Sequence, residues 1–252
     1  MSIVRVCQFN TWRESKHLTE DFERVLPHSD LVLLNEAANH KKTIEAWCKA
    51  HSEWGAIIPD GDHNQRQNCI MYRKTIFSTT GRRADVIQMC YGAGKKTTSH
   101  TPPRYMTRKR FTHKETGTGF QVRVTHMNSH VERTVWQVLP RFRQYRKQLR
   151  RMVRETKTFR SSTLVQIIGM DTNADWRRTK NIPKFPYASL RHQKMYSNYD
   201  VLGPLRQTGT HGARMIDAIF VRKSSAARMA SQRVITGLAS DHNALIVTLV
   251  LR

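Results

Sequence analysis

The chain has 252 residues carrying 43 Lys and Arg against 19 Asp and Glu, a formal net charge of +24. With 38% apolar residues, this length can bury one substantial core, which excludes disorder as the overall state. No stretch approaches the roughly 18 apolar residues that span a bilayer, and the start MSIVRVCQFNTW lacks the layout of a signal peptide, so a soluble cytoplasmic protein is expected.

In chain order, period-two or continuous apolar runs ending in polar residues predict strands at 3–10, 30–36, 68–73, 84–91, 120–127, 163–171, 214–222 and 243–251. Helical spacing fits 18–26, 42–52 and 135–157, the first with Thr19 as N-cap candidate and acidic residues in its opening turn. The segment KKTTSHTPPRYMTRKRFTHK (95–114), with Pro102-Pro103 and many Thr and Ser, reads as a loop, and the polar 184–198 region reads as an insertion. No repeat or linker divides the chain, so 1–252 is read as a single domain. Strands outnumber helices without regular βαβ alternation, which points to a mixed, layered α/β fold. Cys7, Cys48, Cys69 and Cys90 form no C-x-x-C pair and are read as reduced, mostly buried thiols.

The charge is uneven. Residues 1–90 are nearly neutral at +1, residues 91–160 reach +15, and residues 161–252 carry +8. Such an excess attracts polyanions by counterion release, and nucleic acid is the usual partner. In the helix ending at 157, Phe142, Tyr145, Leu149 and Met152/Val153 make an apolar stripe suited to core packing, while the basic face could track phosphates.

Several strands end in residues that do not belong in a core. The first finishes on Asn10; Glu36 follows the run Leu31–Leu34; His126 shares a strand face with Phe120, Val122 and Val124. Asp171 and Asn173 follow Ile167 and Ile168, Asp217 lies inside RMIDAIFV, and Asp241-His242 precedes the last strand. One carboxylate at a strand end is ordinarily a turn or cap residue. An ordered set of Asn, Glu, His, Asp-x-Asn, Ile-Asp and Ser-Asp-His at strand edges is hard to obtain from unrelated structural needs, because embedded carboxylates are costly without metal or histidine partners.

On these residues, from FNTW to SDHNAL, the sequence resembles the endonuclease/exonuclease/phosphatase superfamily. GMDTNA is similar to its G-D-x-N-A motif with Met170 between the glycine and the aspartate, and VTHMNSH is similar to its T-H-L segment, which selects His126 over His130. The resemblance implies two packed mixed β-sheets flanked by helices, a four-layer α/β/β/α sandwich. It also implies a metal site at Asn10 and Glu36, joined by Asp241, holding Mg²⁺ or Mn²⁺ in its place. Asp171 resembles the residue that orients or deprotonates water, and Asn173 one that donates to a phosphate oxygen. His242, held by Asp217, resembles the second catalytic histidine, with His126 contacting the phosphate from the other side. Either Asp171 or the Asp217–His242 pair could be the base, and the metal count is open.

The resemblance leaves the substrate to be chosen among nucleic acid, lipid and small phosphoesters. The basic middle favours a nuclease, DNA preferred and RNA second, acting as a monomer. LLNEA lacks the Gln-Glu-Thr-Lys-like run of the AP endonuclease branch, so an endonuclease of broad specificity is expected. Arg66, Arg104 and Arg110 are candidate phosphate contacts outside the catalytic set. The alternatives are a lipid or small-molecule phosphodiesterase or phosphatase, and a non-catalytic nucleic-acid-binding protein.

Overall fold

The computed structural model describes residues 2–12, 15–81, 83–92, 101–129, 131, 139–157, 164–175, 199–202, 209–222 and 226–252. The first sheet joins β1 (Ile3–Asn10), β2 (Leu31–Asn35), β3 (Trp54–Ile57), β4 (Cys69–Arg73), β12 (Ala227–Ile235) and β13 (Ala244–Leu251), in the order β12-β13-β1-β2-β4-β3. The second contains β5 (Phe77–Ser78), β6 (Asp85–Cys90), β7 (Arg104–His113), β8 (Gly119–His126), β9 (Leu164–Asp171), β10 (Tyr199–Leu202) and β11 (Asp217–Arg222). Its order is β10-β11-β9-β8-β7-β5, with β6 also on β7. Both sheets are mixed: β1 runs parallel to β2 and β8 to β9, and the other pairings are antiparallel.

Strand alternation sorts the apolar side chains into three cores. Val4, Val6, Leu31, Leu33, Val122, Val124, Val165, Ile167, Ile219, Leu245 and Val247 face the seam between the sheets. On the opposite face of the first sheet, Cys7, Phe9, Val32 and Leu34 pack beneath α1 (Leu18–Val25) and α2 (Lys41–Ala50), which contribute Phe22, Val25, Ile44 and Trp47. On the outer face of the second sheet, Ile168, Met170 and Phe220 meet Tyr145, Leu149 and Met152 of α3 (Leu139–Lys157), so the expected stripe on this helix is core. The result is the expected α/β/β/α sandwich. None of the described helices is long and apolar enough to cross a membrane. All four cysteines are free; three are buried, and burial pushes the half-buried Cys48 thiol up to about 11.

All eight expected strands are present, most within one residue, although β11 begins at Asp217 because Arg214 is used in a tight bridge with His211. Two expectations are corrected. The segment 95–114 is not a loop throughout: 104–113 is strand β7, with its N-terminal part 95–100 outside the described residues. Its alternation is disguised because Lys109 occupies a buried position beside Phe111, with its ammonium donating to the carbonyls of Thr80, Gly81 and Arg83 at 2.8, 2.6 and 2.7 Å. Thr19 is not the N-cap: α1 starts one residue earlier, behind His17, and Glu20 and Asp21 hold its first turn. Residues 135–138 and 184–198 lie outside the described residues.

The displaced glycine of GMDTNA has a packing explanation. Gly169 and Asp171 share the seam face of β9 while Met170 points toward α3, and a Cβ on Gly169 would collide with Gln8 Oε1 and Leu33 of the facing sheet. Gly169→Ala is therefore expected to cost roughly 1–3 kcal/mol of stability by overpacking. Calorimetry checks this as a fall of several degrees in Tm; an unshifted Tm contradicts the close approach.

Candidate active site

The seam faces that are apolar through the sheets become polar at one shared end. In β1, Val4 and Val6 are followed on the same face by Gln8 and Asn10; in β2, Leu31 and Leu33 lead to Asn35; in β8, Val122 and Val124 lead to His126. Register then aligns these endings: Asn10 pairs with Asn35, His126 with Asp171, and Asp171 with Asp217. Three chemically active residues thus lie side by side on adjacent strands β8, β9 and β11.

Asp171, 1% exposed, is the point on which the others converge. Asn10 Nδ2 donates to its Oδ2 at 2.9 Å, His126 Nε2 lies 3.3 Å and His242 Nε2 3.9 Å from the same oxygen, and the Asn173 amide N–H donates to Oδ1 at 2.8 Å. Burial alone would raise its pKa, but the hydrogen bond and charge of His126, the charge of His242 and the Asn173 N–H outweigh it and hold the carboxylate below its ordinary range. Asp217 is fully buried, and its Oδ2 lies 2.7 Å from His242 Nδ1. Burial opposes charge on this histidine too, yet Asp217, Asp171 and Asp241 raise its pKa to about 10. Burial likewise raises Asp217, against the pull of His242, so the pair retains a proton on its short contact.

The connecting segments fix these positions. Asp21 of α1 accepts from the amides of Ala239 and Ser240, at 2.7 and 3.2 Å, and Ser240 Oγ donates to Asn10 O and accepts from His242 N, tying Ser-Asp-His to the end of β1. Thr210 Oγ1 accepts from the Asp217 amide at 3.0 Å. Asn173 adopts φ 51°, and its Nδ2 sits 2.8 Å from His126 Nε2 and 3.0 Å from Met127 O. Glu36, at φ 57°, leaves β2 in the left-handed region, with Oε1 3.5 Å from Asn10 Nδ2 and 3.8 Å from His126 Nε2.

These groups open into a cleft of about 910 Å³. Glu36, His126, Asp171, Asn173, Asp241 and His242 all line it, so sequence reading and geometry select one place. Asn10 is buried behind its wall, and Asp217 lies beneath His242. Asp241 has His211 Nε2 at 3.3 Å and His242 Nε2 at 4.0 Å as near partners. Among the described residues, two groups have ligand atoms close enough together to share a metal ion: His211, Asp241 and His242, and Asp171, Asp217 and His242.

Of the three candidate arginines only Arg104 lines the cleft, with Nε donating to Asn128 Oδ1 at 2.9 Å and Nη1 3.3 Å from His126 Nδ1. Arg110 bonds Gln121 elsewhere on the sheet, and Arg66 sits on the Gln65–Gln67 turn. Sequence reading missed Arg141, His211 and Arg214 of the cleft wall, as well as Asn35. Asn35 Oδ1 accepts from the Asp171 amide at 3.1 Å and from Gln8 Nε2 at 2.5 Å, while its Nδ2 donates to Asn68 at 2.7 Å. A buried polar ending on an otherwise apolar strand was the available signal for Asn35.

No protein-family model matches the chain, and no curated protein matches it by sequence. Solved structures do match. A Bacteroides vulgatus endonuclease/exonuclease/phosphatase aligns over 100% of both chains at 16% identity with a TM-score of 0.72. D. rerio TDP2 complexed with a single-strand DNA product aligns over 99% of both chains at 17% identity and TM-score 0.66. The Bacteroides thetaiotaomicron mannosyl-6-phosphatase Bt3783 aligns over 98% of this chain and 100% of its own at 16% identity and TM-score 0.69. The chain has the endonuclease/exonuclease/phosphatase fold.

Proposed function

We propose that this chain is a divalent-metal-dependent phosphodiesterase that hydrolyses nucleic acid, with DNA the preferred polymer and RNA the second. The observation that carries the reading is the convergence of Asn10, His126, Asn173 and His242 on one buried carboxylate, Asp171, at the floor of an open cleft. Catalytic groups need such mutual geometry before they need any particular fold.

The candidate donors for a hard cation are the Glu36 and Asp241 carboxylates, one 22% and the other 44% exposed in the cleft, with room for retained water; the Asn10 amide lies beside Glu36 with Nδ2 toward it, while its Oδ1 accepts from the Trp12 amide. We assign Glu36 and Asp241 to Mg²⁺, with Asn10 joining them once its amide turns Oδ1 inward; the ion would neutralise charge on the phosphoryl oxygens and the departing oxyanion. The protein groups do the rest. Asp171, held ionised, orients the attacking water and takes its proton as the new P–O bond forms and the bond to the departing oxygen breaks. His242, held protonated by Asp217, presents a positive Nε2–H to the phosphoryl group, and the Asn173 amide and His126 bind it from the facing side. The polymer is favoured over a single small phosphate because Arg104, Arg141 and Arg214 line the cleft and residues 91–160 carry +15.

Two outcomes check this assignment. Purified protein should nick supercoiled plasmid with Mg²⁺ and stop with EDTA, while Asp171→Ala and His242→Ala should each lose about 10²-fold or more in rate. Full activity in either variant would remove it from the site, and turnover of a sugar or lipid phosphate without cleavage of DNA or RNA would favour the small-substrate reading. Asp217→Asn tests the role of the pair through pH. Because Asp217 raises the His242 pKa to about 10, activity that needs protonated His242 is present below that pH and is lost above it. The variant should therefore show its alkaline limb at lower pH in the rate profile; an unmoved limb contradicts the assignment.

A further inference from the structure

Three non-glycine residues among those described have left-handed backbone: Trp12 (φ 48°), Glu36 (φ 57°) and Asn173 (φ 51°). All three line the cleft. Neither Trp nor Glu favours this region, and such strain persists only where surrounding structure over-determines it, which happens chiefly at functional sites. Glu36 and Asn173 have roles in the phosphoester chemistry proposed above. An indole has neither the donor set for a hard cation nor a group that transfers protons, so the Trp12 side chain has no part in that chemistry.

Its backbone is fixed from both sides. The Trp12 amide donates to Asn10 Oδ1 at 3.0 Å, and its carbonyl accepts from His40 Nε2 at 3.0 Å and from the Ser15 amide at 2.9 Å. Asn10 in turn donates to Asp171, so the indole is anchored one side chain away from the reacting centre. It is nonetheless 36% exposed, and of the four exposed large hydrophobic residues among those described (Ile3, Trp12, Tyr91 and Met229) it alone lines the cleft. Burial of the indole does not explain this arrangement, since the local backbone holds it out of the core. The cleft wall also carries His63, Asn64 and Gln67, polar side chains able to hydrogen-bond a flat heterocycle at its edge.

We propose that Trp12 forms a nucleobase subsite, stacking on an unpaired base next to the scissile phosphate and thereby favouring single-stranded or locally opened nucleic acid. The proposal rests on the nuclease reading and narrows its substrate. Base–aromatic stacking is sequence-tolerant, since every base offers a π-face, and its loss corresponds to about 5- to 150-fold in binding. It also suits a cleft lined by Arg104, Arg141 and Arg214, since arginines hold phosphates without reading sequence.

The test is a single-stranded oligonucleotide with one internal abasic residue, cleaved with Mg²⁺ and mapped position by position. Wild type should cleave along the strand but be suppressed about 5- to 150-fold at one phosphate at a fixed offset from the abasic residue. In Trp12→Ala the suppression should vanish and overall cleavage should fall by a similar factor, and Trp12→Phe should restore both. Uniform cleavage past the abasic residue in wild type overturns the subsite while leaving the nuclease reading intact, as does undiminished suppression in Trp12→Ala. No cleavage at any position rejects the nuclease reading, and the subsite with it.

Discussion

Asp171 and Asp217 sit at the end of an apolar seam between two sheets, both almost fully excluded from water, and a charge in that position persists only with partners. The rest of the site follows from that requirement. Asp217 lies against His242 at 2.7 Å; Asp171 is surrounded by Asn10, His126, Asn173 and, more distantly, His242. Each partner arrives on a different element, so folding the two sheets together and assembling the site are one event. Losing a partner leaves a buried carboxylate uncompensated, which couples the chemistry of the site to the stability of the sandwich.

The same constraint accounts for how the sheets meet. Near the polar end the facing strands approach closely enough that Gly169 has no room for a side chain; there Gln8, Asn35 and Asn68 form a chain of amide hydrogen bonds along the first sheet, and Asn35 accepts from the Asp171 amide across the gap. Asn68 continues into the second sheet by donating to Tyr105 O at 2.8 Å. An apolar seam would seal at this point; an amide-lined one can hold the Asp171 backbone through Asn35 Oδ1 and still pack tightly. At the cleft, Arg104 is oriented by Asn128, itself held by Gln144 of α3 at 2.9 Å. The basic helix therefore acts on the site through its buried amides, beyond whatever its exposed charges do.

Much of this was legible in the sequence because strand alternation carries it. His126 sits two residues beyond the apolar seam position Val124, and Asn10 and Asp171 four residues beyond Val6 and Ile167, so the even period survives as a pattern in the letters. What escaped was hidden for identifiable reasons. Strand β7 puts Lys109 at a buried position where an apolar residue would mark the period, and its ammonium is satisfied only by carbonyls brought from 80–83. Strand β12 is an edge strand with most side chains exposed and a bulge between Met229 and Ser231, so neither apolar face nor even period announces it. His211 and Arg214 reach the cleft through a tight turn whose position depends on the sequence-distant Asn243, which donates through Nδ2 to Gly209 O and through its backbone amide to Thr210 O. The left-handed backbone at Trp12 and Glu36 has no counterpart in residue type at all.

The central claim is that the polar end of the seam is a metal-assisted phosphodiester site. Anomalous diffraction from crystals soaked in Mn²⁺ tests it most directly. The account predicts a peak in the cleft within coordinating distance of the Glu36 carboxylate. A peak confined to other surfaces would contradict it.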